Sequence, residues 1–194
     1  QFFKSVKEQI FPYLETYPFV KIWHAGCSSG QEVYSMAIML NESGLQERSQ
    51  LYATDFNRDI LDRAQEGIYP IENVKKYINN YQLSGGTGDF SDYYIADYDS
   101  VSLSQSLKKN ILFSFHNLVT DGVFGEMHVI LCRNVLIYFD KTLQNKVLNL
   151  FYESLVPGGY LCLGSKESIR YSDVEDLFEV IDTDFRIFRK KVKK

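Results

Sequence analysis

Three observations predict an α/β domain on a mixed, mostly parallel sheet. Short apolar stretches alternate with helical stripes, a strand-then-helix unit occurs twice before Gly67, and one later strand is apolar enough to be buried on both faces. Val20-Lys21-Ile22-Trp23 reads as the first strand, and Val33, Tyr34, Ala37 and Ile38 form one helical face soon after it, so a turn lies between them. Leu51-Tyr52-Ala53-Thr54 is the second strand. Asn57 is placed as an N-cap, Ile60, Leu61 and Ala64 face inward, and Gly67 ends that helix. Residues 111–115 and 129–132 are two further strands, the second of them central because it is uniformly apolar. Leu143, Val147, Leu148, Phe151 and Leu155 recur at helical spacing, Pro157-Gly158-Gly159 breaks the stripe, and residues 160–163 begin the next strand. Residues 178–181 and 185–188 are close enough to pair as an antiparallel hairpin, which makes the sheet mixed. Between Tyr81 and Leu107 the helical period disappears, and residues 93–96 and 101–103 flank a polar turn at 97–100. This is a small β insert at about 81–107 within one domain of residues 1–194: either a surface loop paired with itself or an edge for a docking peptide strand.

Composition narrows the function classes. With 194 residues, 45% of them hydrophobic and 24% charged, the chain has the size of one domain of roughly 100–200 residues. Folding at this length hides roughly 70% of the unfolded surface, so neither disulfides nor a structural metal are needed. Cys27, Cys132 and Cys162 form no CxxC pair, which points to buried thiols in a reducing, cytoplasmic compartment. His24, His116 and His128 have no HxxxH spacing, so no metal site is expected. The longest apolar runs, 36–40 and 135–139, fall far short of the roughly 18 residues of a membrane span, and Gln1-Phe2-Phe3-Lys4 is no signal peptide, so no membrane insertion is expected. A first residue other than Met fits a fragment of a longer protein. Net charge is −4, but six basic residues sit in the last nine positions, leaving residues 1–185 with 15 basic against 25 acidic, a net −10. A body of that sign repels a polyanion, so nucleic acid is not expected as a partner. The basic tail reads as a solvated strand end or as an anion-docking patch. A monomer is expected.

Ala25-Gly26-Cys27-Ser28-Ser29-Gly30 lies between the first strand and its helix, where glycines admit a ligand to the backbone and a helix N-terminus offers free N–H groups. Asp55 ends the second strand 25 residues after Gly30, near the roughly 20 at which an acid meets a ribose hydroxyl in such folds. Taken alone, this pair also fits a tight structural turn and a solvated aspartate. The loop is neither GxGxxG nor GxxxxGK[ST], which disfavours dinucleotides and ATP. S-adenosylmethionine, which has no phosphate, fits it better. Later, Cys132-Arg133-Asn134-Val135-Leu136-Ile137-Tyr138-Phe139 puts an arginine at the carboxyl end of the central strand. Open α/β sheets bind ligands there, and a buried arginine requires an anion.

With Gly26–Ser35 in the first loop and helix, Ala53-Thr54-Asp55-Phe56-Asn57 and Gly67-Ile68-Tyr69, the set resembles the CheR family of S-adenosylmethionine-dependent methyltransferases, which esterify glutamates on bacterial chemoreceptors. The resemblance runs from about Phe2 to Ser168 in the family's order, with Cys-Arg-Asn-Val-x-Ile-Tyr-Phe-Asp at 132–140 and Pro-x-Gly-x-Leu at 157–161. It implies a Rossmann-like class I methyltransferase fold with an inserted β-subdomain and an antiparallel C-terminal hairpin, and S-adenosylmethionine as cofactor with S-adenosylhomocysteine as product. Cofactor contacts would fall on Ala25, Gly26, Glu32, Asp55, Asn117, Leu118, Cys132 and Arg133, and Tyr138 would lie near the reacting methyl. Arg133, Tyr138 and Lys4 are the implied catalytic groups. The residues alone leave other roles open: a core aromatic for Tyr138, a turn cap for Asn117 and a first-turn acid answering the helix dipole for Glu32.

Several positions depart from the family pattern. Its Thr-x-Phe-Phe-Arg entry is matched only by Phe2-Phe3-Lys4, and lysine keeps the charge without the planar fork. Gly164-Ser165-Lys166-Glu167-Ser168 stands where the family reads Gly-His-Ser-Glu-Asn, so substrate-side contacts are expected to differ. The family's N-terminal helical domain, with its basic receptor-facing helix, has no counterpart in these residues. The implied partners are the chemoreceptor cytoplasmic domain and, at the β-subdomain, a receptor C-terminal peptide. Gly86-Thr87-Gly88 resembles the glycine turn of peptide-binding members, with Gly85 where an arginine is expected. An acceptor glutamate of pKa ~4.3 is already ionised near neutral pH, so the reaction needs alignment and exclusion of water rather than a general base. The rival functions are methylation of another carboxylate on the same fold, and a sensory or scaffold module that binds S-adenosylmethionine without turnover.

Overall fold

In the computed structural model, which describes residues 1–192, helices α1 (Phe2–Gln9) and α2 (Phe11–Leu14) come first, with Pro12 in the opening turn of α2, where no N–H is required. Strand β1 (Val20–Ala25) leads through a tight turn into α3 (Gln31–Glu42), which buries Val33, Tyr34, Ala37 and Ile38 as their spacing predicts. β2 (Ser49–Asp55) and α4 (Arg58–Glu66) repeat the unit. Asn57 Oδ1 accepts the Ile60 N–H, Leu61 and Ala64 are buried, and Gly67 ends α4 at φ +61°. An insert follows, made of β3 (Ile68–Pro70), α5 (Val74–Leu83), β4 (Tyr94–Asp97) and β5 (Ser100–Leu103). The short α6 (Gln105–Lys108) returns the chain to β6 (Ile111–Phe115) and β7 (Met127–Cys132). Then come α7 (Lys141–Ser154), capped by Asp140, β8 (Leu155–Leu163), β9 (Phe178–Asp182) and β10 (Ile187–Lys190).

The large sheet has the order β6-β2-β1-β7-β8-β10-β9. Strands β6, β2, β1, β7 and β8 are parallel, and β10 runs antiparallel to both β8 and β9, the mixed ending that the hairpin predicts. Period-2 alternation sends side chains to two cores. Ile22, Ala53, Leu131 and Cys162 meet α3 on one face, while Trp23, Ile130 and Leu161 meet Val147, Leu148 and Phe151 of α7 on the other. Trp23 and Phe151 meet edge to face at 5.5 Å, and the Trp23 indole N–H donates to Thr54 Oγ1 at 2.8 Å, so the largest core side chain is also satisfied.

Three sequence expectations need correction. Leu155 is not the last residue of the helical stripe: α7 stops at Ser154 and Leu155 is already extended, paired with Met127. Pro157-Gly158-Gly159 therefore lies inside β8, where the register slips between Met127 and Val129 and Gly158 takes φ +79°. Leu155 keeps helical spacing because either element would bury it. The small antiparallel sheet, ordered β3-β5-β4, reaches back beyond 81–107, because Ile68–Pro70 supplies a strand against β5. The basic tail is only partly solvated through its described length, with Arg186, Arg189 and Lys190 half-buried and Lys191 exposed. Lys190 Nζ donates to Tyr152 O and Leu155 O, both at 2.7 Å, and Lys191 Nζ donates to Asp176 O at 2.8 Å, answering carbonyls at the end of α7 and beyond it. Lys193 and Lys194 lie outside the described residues.

Phe151→Ala empties the centre of the α7 face, and it is expected to lower unfolding free energy by about 3–5 kcal/mol in urea denaturation.

Candidate active site

β1 and β7 end side by side where the strand order reverses, and the connections after them leave for opposite faces of the sheet. Gly26, the first residue past β1, has φ +77°, and a Cβ there would lie 2.5 Å from Val135 Cγ2, so only glycine fits. The N–H groups of Gly26 and Cys27 both donate to Thr54 O at 2.8 Å, and that of Ser28 to Asp55 Oδ2 at 3.0 Å. These amides are therefore already engaged. The open amides belong to the first turn of α3, which Gly30 cannot cap with a side chain. Asp55 is buried rather than solvated. Its Oδ1 also accepts the Asn57 N–H at 3.1 Å, and the remaining lone pairs stay available to hydroxyl donors.

Glu32, in the first turn of α3, meets Arg133, just past β7. Arg133 Nη1 donates to Glu32 Oε2 at 2.7 Å, and the guanidinium sits 3.9 Å over the Phe2 ring of α1. The His24 ring lies beneath, with Nδ1 3.5 Å from Glu32 Oε1. Burial alone would raise the Glu32 carboxyl, but His24 and Arg133 outweigh it and hold the group below its usual 4.5. The three cysteines are free and buried, and burial pushes the Cys27 thiol up to about 12, with Asp55 adding to the effect. They are inert thiols.

The connection after β7 hangs on one side chain that sequence reasoning treated only as part of a departure. Glu167, 4% exposed, accepts the backbone N–H groups of Asn134 at 3.0 Å, Val135 at 2.8 Å, Leu136 at 2.7 Å and Gly164 at 2.6 Å. It holds Asn134 at φ +61° and sets the turn that presents Tyr138. Tyr138 is 81% exposed, which overturns its reading as a core aromatic. Asn117 does cap a turn: its Oδ1 accepts the Val119 N–H at 3.0 Å, beside buried Leu118. Lys4 is not brought to the cluster, its ammonium lying 3.9 Å from Glu8 on the exposed side of α1. Phe2 takes that place against Arg133. Phe56, next to Asp55, was also missed. It is 72% exposed, an aromatic face just past the end of β2. A cavity of about 460 Å³ opens from Glu32 and Arg133 between α1, α3 and α5, bordered by Lys7, Tyr77 and Tyr81.

These residues fit S-adenosylmethionine. Arg133 Nε is buried without a partner, Glu32 borders the cavity, Asp55 ends the neighbouring strand with an exposed ring beside it, and the first loop matches neither phosphate-binding pattern. Fold and site together define a Rossmann-like, class I S-adenosylmethionine methyltransferase domain. In fold alone, the chain is similar to the crystal structure of the glycopeptide N-methyltransferase MtfA, with TM-score 0.50 and 8% identity over 84% of this chain and 53% of that one. Residues 1–187 match the family described as CheR methyltransferase, SAM binding domain, and the chain belongs to that family. A Pseudomonas putida protein named as the methyltransferase Cher3 is 50% identical over 97% of this chain and 69% of its own length. Chemotaxis protein methyltransferase 1 of Vibrio cholerae is 36% identical over 84% of the chain, and the chemotaxis protein methyltransferase of Borreliella burgdorferi is 35% identical over 78%. The chain spans 58% and 53% of the length of those two relatives.

Glu167→Ala leaves four amides facing a void, and it is expected to cost about 3–5 kcal/mol in urea denaturation. Because the folded-state value of Glu32 is depressed, its ion pair stabilises the fold fully above about pH 4.5 and is lost as pH falls through the folded value. Glu32→Gln is therefore expected to flatten the fall of the urea midpoint with acidification below that point.

Proposed function

We propose that this domain transfers the methyl group of S-adenosylmethionine to glutamate side chains on the cytoplasmic domains of bacterial chemoreceptors, giving glutamyl methyl esters and S-adenosylhomocysteine. The observation that carries this reading is the Glu32–Arg133 pair at the strand switch point, in a chain whose relatives are named as chemotaxis methyltransferases. When bound, the cofactor would supply an electrophilic methyl on a sulfonium, whose carbon–sulfur bond breaks as an acceptor carboxylate oxygen bonds to the methyl carbon in line, with S-adenosylhomocysteine as the leaving group. Ala25, Gly26 and Cys132 would line the cofactor's seat with backbone, Asp55 would take its hydroxyls, and Asn117, Leu118 and Phe56 would serve its flat ring. Glu32 would take a donor at the other end. Lys4 keeps a subordinate place as a cation on the exposed side of α1.

The acceptor arrives ionised, so no side chain need act as general base. Arg133 is preorganised by Glu32 on one side and the Phe2 ring on the other, so its charge orients an anion without reorganising. Phe2 also keeps water from that guanidinium, which favours a reaction between opposite charges. Tyr138, held out on the turn that Glu167 braces, would position the methyl group. The receptor's C-terminal peptide is assigned to β4, an edge strand of the small sheet with Ile95 exposed. The reaction is placed in the cytoplasm.

The test is incubation with methyl-labelled S-adenosylmethionine and chemoreceptor-containing membranes, counting label released as volatile methanol by mild base. Base-labile label on the receptor is the expected outcome. Binding of the cofactor with no transfer to any receptor would overturn the proposal in favour of a non-catalytic module. Tyr138→Phe is expected to lower turnover about tenfold or more while leaving cofactor affinity in calorimetry unchanged. Turnover equal to the parent protein's would remove the hydroxyl from the mechanism.

A further inference from the structure

His24 is out of place in its layer of the core. It lies on β1 between the register neighbours Ala53 and Leu131, 1% exposed, on the face that Ile22 and Val33 otherwise make apolar. Neither ring nitrogen has a hydrogen-bond partner. A buried imidazole left unsatisfied costs stability, so the apolar packing of this layer gives no account of it. One polar group is within reach. Glu32 Oε1 stands 3.5 Å from Nδ1, while the other carboxylate oxygen is taken by Arg133. Arg133 thus holds one oxygen and His24 bounds the other, leaving the carboxylate little freedom to turn.

We propose that His24 is a positioning residue for cofactor binding: from beneath, it aims Oε1 of Glu32 at the ligand, and its own protonation tunes how strongly that oxygen is offered. The inference rests on the assignment of Glu32 to the cofactor. Imidazole is the ordinary side chain that changes charge between pH 5 and 8. The other groups around this carboxylate hold their charge state over that range. On α3, Glu32 stays ionised, and past β7 Arg133 stays protonated. The thiols of Cys27 after β1, Cys132 on β7 and Cys162 on β8 stay neutral, because burial raises all three. Asp55 on β2 is occupied by two backbone N–H groups. A proton added to His24 therefore places a second cation against Glu32 and draws Oε1 away from any donor the ligand presents.

The experiment is calorimetric titration of S-adenosylhomocysteine at pH 8 and pH 6 into the parent protein, His24→Leu, His24→Gln and Glu32→Gln, with the thermal midpoint of each. In the parent protein, binding is expected to be weaker at pH 6 than at pH 8. His24→Leu removes two unsatisfied nitrogens at similar volume, so it is expected to keep or raise the thermal midpoint while weakening binding about tenfold at pH 8 and losing the pH dependence. His24→Gln, with a neutral polar head, is expected to bind between the two and also without pH dependence. It decides the question if the leucine variant folds poorly. Parent-like affinity in both His24 variants, or an unchanged pH dependence, overturns the inference. If Glu32→Gln binds poorly while the His24 variants bind normally, only the role of His24 falls. If Glu32→Gln also binds like the parent, the assignment of Glu32 to the cofactor falls with it.

Discussion

The contact between Glu32 and Arg133 spans 101 residues of sequence and joins the two halves of the sheet at its switch point. One partner stands in the first turn of the helix after β1 and the other just past β7, so the pair forms only when both parallel crossovers are in place. An arginine half-enclosed at the end of a buried strand would be costly without its anion. Glu32 supplies that anion, and Phe2 covers the guanidinium face. The position of α1 thus depends on the same charge pair that joins β1's helix to the end of β7. This explains why the chain spends an aromatic, rather than a cation, at the point where its first helix meets the sheet.

Carboxylates do much of the bracing at this edge. A parallel sheet sends its connections off from one end, and the backbone N–H groups of those connections need acceptors. Asp55 takes two of them and Glu167 takes four, each carboxylate joining one nearby amide to a segment distant in sequence. Such acceptors hold irregular backbone, including the left-handed Asn134, in one conformation. Rigid support of this kind suits the proposed methyl transfer to a carboxylate, in which alignment rather than activation of the acceptor sets the rate.

The insert is joined to the same edge. Tyr69 of β3 donates its hydroxyl proton to Ser29 O at 2.7 Å, inside the turn after β1. At the far end of α3, Glu42 accepts from the hydroxyls of Tyr81 and Tyr93, and the Gly88 N–H donates to Tyr81 Oη at 2.7 Å. The small sheet and its glycine turn are therefore tied to both ends of the helix that carries Glu32. A Cβ at Gly86 would strike the Tyr81 ring, so this glycine is needed for packing within the insert, whatever it does toward a peptide.

Much of this was legible in the chain itself. Alternating strands and helical stripes report local periodicity, so β1, α3, β2, α4 and the central β7 could be read directly, as could the glycine turn, Asp55 and the arginine at the end of β7. Leu155 misled because an apolar residue at helical spacing looks the same whether the helix or the next strand buries it. Glu167 and His24 could not be ranked from sequence, since three of the amides that Glu167 accepts lie 31 to 33 residues away and His24 meets Glu32 only across the turn between β1 and α3. The four amides that Glu167 accepts and the carboxylate above His24 exist only once β1, β7 and β8 lie side by side. The sequence by itself determined the order of elements, the absence of phosphate-binding glycine patterns and the acidic body. Tertiary structure alone decided which charges meet, that Tyr138 faces solvent, and that Phe2 rather than Lys4 closes on Arg133, because contacts between distant residues are set by sheet order and not by spacing.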